Sequence, residues 1–257
     1  MVNSGGMLVL ALDTTTRPGS IALVRDDDVL AVASGDAART HAERLPAEIV
    51  QMLAAERVDL KAIDVFAVAA GPGSFTGLRI GIATIQGLAF ALGRPVVAVS
   101  SLDALARIAA ELESDSSALV AAWMDAQRSE VFAALYRVLR SDPGASKGSE
   151  LVIIDGPVSE RPAAVLDRWQ SLEAGHTIRV AGDGVSRYRE VLAEHLGSRF
   201  KAVEPLPPLA PVIASIAVRE ALAGRGVAPH AVRPIYVRRS DAELARDRKP
   251  VPADPGQ

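Results

Sequence analysis

AGPGSFTGLRIG, Ala70 to Gly81, lies between two apolar runs, DVFAVAA (Asp64 to Ala70) and LRIGIATIQGLAFAL (Leu78 to Leu92). A glycine-rich turn between a strand and a helix is a common place to hold a phosphate, because the helix start offers unpaired N–H groups. Two phosphate motifs can be tested by spacing. A dinucleotide fingerprint needs G-x-G-x-x-G and an acid about 20 residues on. Here Gly71, Gly73 and Gly77 are spaced one residue too long, VVAVSS stands where the acid belongs, and Asp103 comes too late. A Walker A loop ends in Gly-Lys-Ser/Thr, and Gly77-Leu78-Arg79 does not supply it. Both phosphate readings fail.

The helix after the glycines accounts for them better. Leu78, Ile82, Ile85, Ala89 and Leu92 form one apolar stripe at helical spacing, and Gly77, Gly81, Thr84 and Leu88 form a second of mostly small residues. A helix apolar on two sides is covered on two sides. One side meets its own sheet. The other is covered from within the domain, for example by a helix over 40–58, or by another subunit. Interior glycines cost a helix about 1 kcal/mol each, so a close approach on that side must compensate.

The totals describe an ordinary globular chain: 257 residues, 49% hydrophobic, 23% charged, net charge −3. That charge gives no general attraction to nucleic acid. With no cysteine, disulfides, thiol nucleophiles and thiolate metal sites are excluded. The start, MVNSGGMLVLALD, lacks the basic n-region and long apolar core of a signal peptide, so a cytoplasmic location is expected. The run Phe75 to Leu92 is long enough to raise a membrane span. Arg79, Gln86, three interior glycines and the preceding Gly-Pro-Gly break favour a buried helix instead.

Along the chain, LVLALD (Leu8 to Asp13), SIALV (Ser20 to Val24) and VLAVAS (Val29 to Ser34) read as three strands. A helix over 40–58 follows, with Pro46 in its first turn or kinking it. Then come strand 64–70, helix 75–92 capped by Ser74 and ended by Gly93, strand 95–100 and helix 101–113. The order is β-β-β-α-β-α-β-α. ALVAAWMDAQRSEVFAALYRV (Ala118 to Val138) restarts it, with Asp125 under Asp13. LVIID (Leu151 to Asp155), helix 159–171, strand 179–182 and helices 185–197 and 209–223 complete a second half. Two such lobes in tandem are the plan of the actin-like architecture. The expected domains are a first lobe over 1–113, a reduced second lobe over 114–240, a linker near Glu113 to Ser117 and a disordered tail over 241–257.

With these residues in view the chain resembles the TsaB (YeaZ) family, the non-catalytic partners of TsaD in bacterial tRNA threonylcarbamoyladenosine synthesis. The resemblance rests on ALDTTT (Ala11 to Thr16), HAERLP (His41 to Pro46), GPGSFTGLRIGIATIQGLA (Gly71 to Ala89), VSSLDALA (Val99 to Ala106), MDAQRSEVFAALY (Met124 to Tyr136) and RPIYVR (Arg233 to Arg238). It implies an α/β, actin-like (ASKHA, ribonuclease H-like) fold with a reduced second lobe. It also implies a scaffold role for N6-threonylcarbamoylation of adenosine 37 in tRNAs reading ANN codons. Helix 75–92 would pair with TsaD, or with a second TsaB when TsaD is absent, through Gly77, Arg79, Gly81, Thr84 and Leu88. On that reading Gly81→Leu breaks the interface and leaves the monomer folded. A TsaE-type ATPase joins the complex, TsaC acts upstream, and tRNA is met through the complex. No cofactor is assigned to this chain; ATP and magnesium belong to the assembled complex.

TsaD carries a His-x-x-x-His helix motif for its metal, since histidines four apart share a face. Here Leu45 stands four places after His41, and His176, His195 and His230 are not within helical reach of one another. No catalytic or metal-binding residue is assigned. Asp13, Thr14, Thr15 and Thr16, with Asp125 in the second half, sit where actin-like kinases place a magnesium-directed aspartate and a phosphate loop. They read as a vestigial nucleotide loop or as plain turn chemistry. The rival function is a stand-alone ATP-dependent phosphotransferase using Asp13 and Asp125. Arg79 reads as a rim charge that could select a partner. Arg233, Arg238, Arg239, Arg246, Arg248 and Lys249 form a basic C-terminal cluster, solvated or contacting RNA or a partner.

Overall fold

The computed structural model describes residues 5–115, 117–140, 149–172 and 175–238. The expected tail over 241–257, with Arg239, Arg246, Arg248 and Lys249, lies outside the described residues. Continuous apolar runs become strands buried on both faces. In the first lobe β1 (Leu8–Asp13), β2 (Ser20–Arg25), β3 (Asp28–Ser34), α1 (His41–Ala55), β4 (Val65–Gly71), α2 (Phe75–Leu92), β5 (Val96–Ser100) and α3 (Ser101–Glu111) follow one another. In the second, β6 (Leu119–Asp125), β7 (Val131–Arg140), β8 (Ser149–Glu160), α4 (Pro162–Leu172), β9 (Ile178–Ala181), α5 (Gly184–Arg187), α6 (Arg189–Leu196), β10 (Phe200–Ala202) and α7 (Ala210–Leu222) do the same.

The sheet orders are β3-β2-β1-β4-β5 and β10-β9-β6-β7-β8, the same order twice. β1 and β6 are equivalent, and Asp13 and Asp125 end them, as the overlay of the two halves expects. This is the actin-like duplication. The reduction of the second lobe lies in α5, α6 and the short β10, since all five strands are kept.

Alternation along the central strands builds three core layers. Val9 and Ala11 of β1 and Val120, Ala122 and Met124 of β6 face a shared middle layer with α3 and α7. Leu8, Leu10 and Leu12 face an outer layer with α1 and α2. Leu119, Ala121 and Trp123 face the other outer layer with α4 and α6. The terminal helices cross over: α3 packs on β6 and β9, and α7 on β1, β2 and β4. The middle layer therefore joins the lobes on one side and leaves a cleft on the other.

Two elements depart from expectation. The helix over 185–197 breaks at Tyr188, whose hydroxyl reaches the Glu130 carbonyl at 3.2 Å. β10 was not expected at all. Pro46 is the sixth residue of α1, beyond its first turn.

Candidate functional site

Local signals set α2 from Phe75 to Leu92. The Ser74 hydroxyl accepts the Gly77 N–H at 3.2 Å, and Gly93 ends the helix in the left-handed region at φ 62°. Leu78, Ile82, Ile85 and Ala89 are buried against the sheet, as their stripe requires. Among the described residues this is the one helix long and apolar enough to cross a membrane. Here its stripe is spent on β4.

The small-residue stripe has a different use from the one expected. A Cβ on Gly77 would lie 2.0 Å from the Thr14 carbonyl oxygen, and one on Gly81 2.2 Å from Thr14 Oγ1. Thr14 Oγ1 donates to the Gly77 carbonyl at 2.8 Å, and the Ser74 N–H donates to the Thr15 carbonyl at 2.9 Å. The glycines admit the β1–β2 turn of their own chain. Both are buried by it, so neither can face another subunit. The expectation for Gly81→Leu falls with this: the larger side chain strikes the fold before it can strike a partner.

The rest of the stripe stays on the surface. Thr84 and Leu88 are half-buried and line an apolar groove of about 620 Å³ between α1 and α2, opposite Val50 and Leu53. Gly87, which the stripe omitted, also lines it, and no atom lies within 4 Å of where its Cβ would be. Val50 of α1 is 66% exposed, and Phe90 of α2 is 79% exposed. Arg79 is exposed, with its guanidinium 3.8 Å over the Phe75 ring and Nε 3.3 Å from the Tyr236 hydroxyl.

The second feature is the cleft between the lobes, about 880 Å³, lined by Thr15, Thr16, Asp125, Asp183, Phe132 and Tyr236 among others. Asp13 is buried, and its Oδ1 accepts the Thr15 N–H at 2.8 Å and the Thr15 hydroxyl at 2.6 Å. Burial pushes its carboxyl above the ordinary range, against those hydrogen bonds. Asp125 binds Arg187 Nη1 at 2.8 Å through Oδ2 and Gln127 N–H at 3.0 Å through Oδ1. Asp183, also raised by burial, accepts the Asp125 N–H at 3.1 Å. Asp13 and Thr15 close a turn on themselves, Thr14 ties that turn to α2, and Asp125 is held by an arginine. Among the described residues no three His, Cys, Asp or Glu groups are placed to hold a metal ion.

His41 opens α1. Its Nδ1 lies 2.7 Å from Arg44 Nη2, which can only donate, so Nδ1 accepts and Nε2–H donates to the Thr16 carbonyl at 3.1 Å. Arg44 is buried and also binds Glu48 at 2.6 Å and the Pro18 carbonyl. Burial and then the Arg44 charge lower the His41 pKa. The unfolded chain therefore protonates first as pH falls below about 6.5, and His41 removes stability on the acid side of that value. His41→Gln should flatten the fall of Tm below that pH, measured by scanning fluorimetry across a pH series. A parallel fall in both proteins would refute it.

Of the basic cluster, Arg233 binds the Val232 carbonyl at 2.9 Å, and Arg238 binds Glu130 at 3.0 Å. Both are used within the chain.

Two duplicated lobes, a cleft whose strand-end acids are held by their own chain, and an exposed apolar groove between two helices define a two-lobed actin-like protein. The comparisons with known proteins give the family. TsaB of Haemophilus influenzae, the tRNA threonylcarbamoyladenosine biosynthesis protein, is 31% identical over 232 residues, covering 90% of this chain and 94% of its own. TsaB of Escherichia coli is 32% identical over 236 residues, covering 92% and 96%. Among solved structures, YeaZ from Pseudomonas aeruginosa superposes with a TM-score of 0.70 at 33% identity, covering 90% and 99%. Residues 32–154 match the family described as TsaD, tRNA N6-adenosine threonylcarbamoyltransferase. The chain belongs to the TsaB family.

Proposed function

We propose that this chain is a non-catalytic subunit of the machinery that forms N6-threonylcarbamoyladenosine in tRNA. It holds a TsaD-type catalytic subunit through the α1–α2 face. The observation that carries this reading is the apolar groove lined by Thr84, Gly87, Leu88 and exposed Val50, with exposed Phe90 three residues beyond Gly87 on α2. Exposed apolar patches of this kind mark protein contacts. The groove suits a helix from another protein, whose small fit is the open space over Gly87. Arg79 is exposed on the same helix, one turn before Ala83 of the groove, and an exposed charge beside a contact selects partners and orientation more than it adds affinity. In the absence of the partner a second copy of the chain occupies the same face. A TsaE-type ATPase completes the complex, tRNA meets the assembly through it, and the location that serves this chemistry is the cytoplasm. ATP and magnesium act at the level of the complex.

The rival phosphotransferase is disfavoured by the state of its two acids. Asp13 accepts from its own turn and Asp125 is paired with Arg187. Asp13→Asn keeps the Oδ1 acceptor and removes a buried charge. In a reconstituted reaction with the TsaD-type and TsaE-type proteins, tRNA, and threonylcarbamoyl-adenylate, the modified nucleoside should form at the normal rate within about twofold. Omitting the chain should stop it. A loss of product with Asp13→Asn in a normally folded protein would favour chemistry at Asp13.

A further inference from the structure

After α7 the chain runs over the first lobe as a segment with one short 3-10 turn at Pro229–Ala231. Val227 pairs with Val96, each N–H on the other's carbonyl at 2.9 Å. Gln86 of α2 donates to the Pro229 carbonyl at 2.8 Å and to the Val232 carbonyl at 3.3 Å, and Val232 is buried in the outer core. The Ile235 N–H donates to the Ala70 carbonyl at 2.7 Å. Gly71, at φ +116°, leaves room for the Ile235 carbonyl, which would be 2.7 Å from a Cβ there. Tyr236 stacks on Phe75 with centroids 5.6 Å apart. Two residues further on the segment is on the other lobe: Arg238 Nη1 lies 3.0 Å from Glu130 Oε2, and its Cζ lies 5.8 Å from the Phe132 ring centroid. Glu130 is itself fixed by the Ser159 hydroxyl at 2.8 Å.

The attachments are unequal. On the first lobe the segment is held by backbone bonds to β4 and β5, by Gln86 and by a buried valine. Among the described residues it is held on the second by one partly exposed ion pair and a ring contact, with Val237 packed on the apolar layer the lobes share. Behind it, the lobes are sealed by the apolar layer of α3 and α7, so relative motion of the lobes is a rotation about those helices that opens or narrows the cleft. Tyr236 and Arg238 both line that cleft.

We propose that Val227–Arg238 is a strap, fixed to the first lobe and latched to the second by Arg238 on Glu130, which sets the opening of the interlobe cleft. Through Tyr236 on Phe75, with Arg79 beside them, it ties that opening to the exposed start of α2. The strap stands apart from the partner reading, because the chain alone tests it.

With no cysteine in the sequence, Ala38→Cys and Ser186→Cys give one exposed spin label on each lobe. Pulsed electron resonance should return one narrow distance for the otherwise native chain. Arg238→Ala should raise the share of longer distances by about fivefold, near the upper worth of a half-exposed ion pair. Tyr236→Ala should act in the same direction. The exchange Arg238→Glu with Glu130→Arg should restore the narrow distance, which mere truncation damage would not allow. Glu130→Gln removes the latch from the other side if Arg238→Ala fails to fold. An unchanged distance distribution in either latch variant, with normal cooperative melting, overturns the proposal, as does a charge exchange that stays open.

Discussion

Gly77→Ala should destabilise the protein by about 2–3 kcal/mol, while Gly87→Ala on the same helix should stabilise it by about 0.5–1 kcal/mol. The intrinsic term is equal at both positions, because alanine favours a helix over glycine by about 1 kcal/mol. The surroundings decide the sign. At Gly77 the new methyl meets a backbone oxygen 2.0 Å away, and a backbone cannot turn aside as a side chain can. The β1–β2 turn must shift, which strains the Thr14 hydrogen bond to the Gly77 carbonyl and the Asp13 turn beside it. Overpacking costs about 1–3 kcal/mol and sometimes more. A backbone contact this short belongs at the top of that range, about 3–4 kcal/mol, which leaves a net loss of about 2–3 kcal/mol after the helix gain. At Gly87 no atom lies within 4 Å, so the gain stands alone. For a chain of this size the Gly77 change should lower Tm by about 4–12 °C, read by calorimetry or scanning fluorimetry. Equal shifts at the two positions would show that the Thr14 contact does not govern the helix.

The second large effect is on association. Gly87→Glu adds a good helix former into open space, so Tm should hold within about 2 °C. The carboxylate points into the groove beside Thr84 and Leu88. A partner that covers the groove would strip its water without pairing it, a cost of about 3–5 kcal/mol, or at least a hundredfold in Kd. Leu88→Glu should do the same from a position that is already half-buried. Isothermal titration with the TsaD-type subunit reads the loss. Normal affinity for both variants would move the contact off this face. Neither variant separates self-pairing from partner-pairing, since both kinds of pairing would use the same groove.

Much of the fold was legible because its signals are local. Ser74 and Gly93 marked α2 to the residue, and the apolar runs ending in Asp13 and Asp125 marked equivalent strands of two lobes. What the glycines face was not legible. Helical spacing put Gly77 and Gly81 on one stripe with Thr84 and Leu88, but the atoms they touch belong to Thr14, 63 positions before Gly77. Small residues on a helix announce a close approach without naming what approaches. Gly87 was passed over because it lies beside that stripe, although its place among apolar neighbours was a usable signal. The crossing of α7 to the first sheet was equally hidden, since amphipathic spacing gives a buried face and no address. RPIYVR (Arg233 to Arg238) reads as a basic run by composition, and only the fold shows Tyr236 stacked on Phe75 and Arg238 paired with Glu130. In the cleft, sequence position brought Asp13 and Asp125 to matching strand ends, as expected. Their hydrogen bonds to Thr15 and Arg187 are visible only in the fold.

The most direct measurement is light scattering after size-exclusion chromatography. It would use this chain alone, the TsaD-type protein from the same source, and their mixture, each repeated with Gly87→Glu. The expected result is a heterodimer that forms at the expense of any homodimer and disappears with the variant. If the unaltered proteins elute as two independent species, with and without ATP and magnesium, the scaffold role at the α1–α2 face is contradicted.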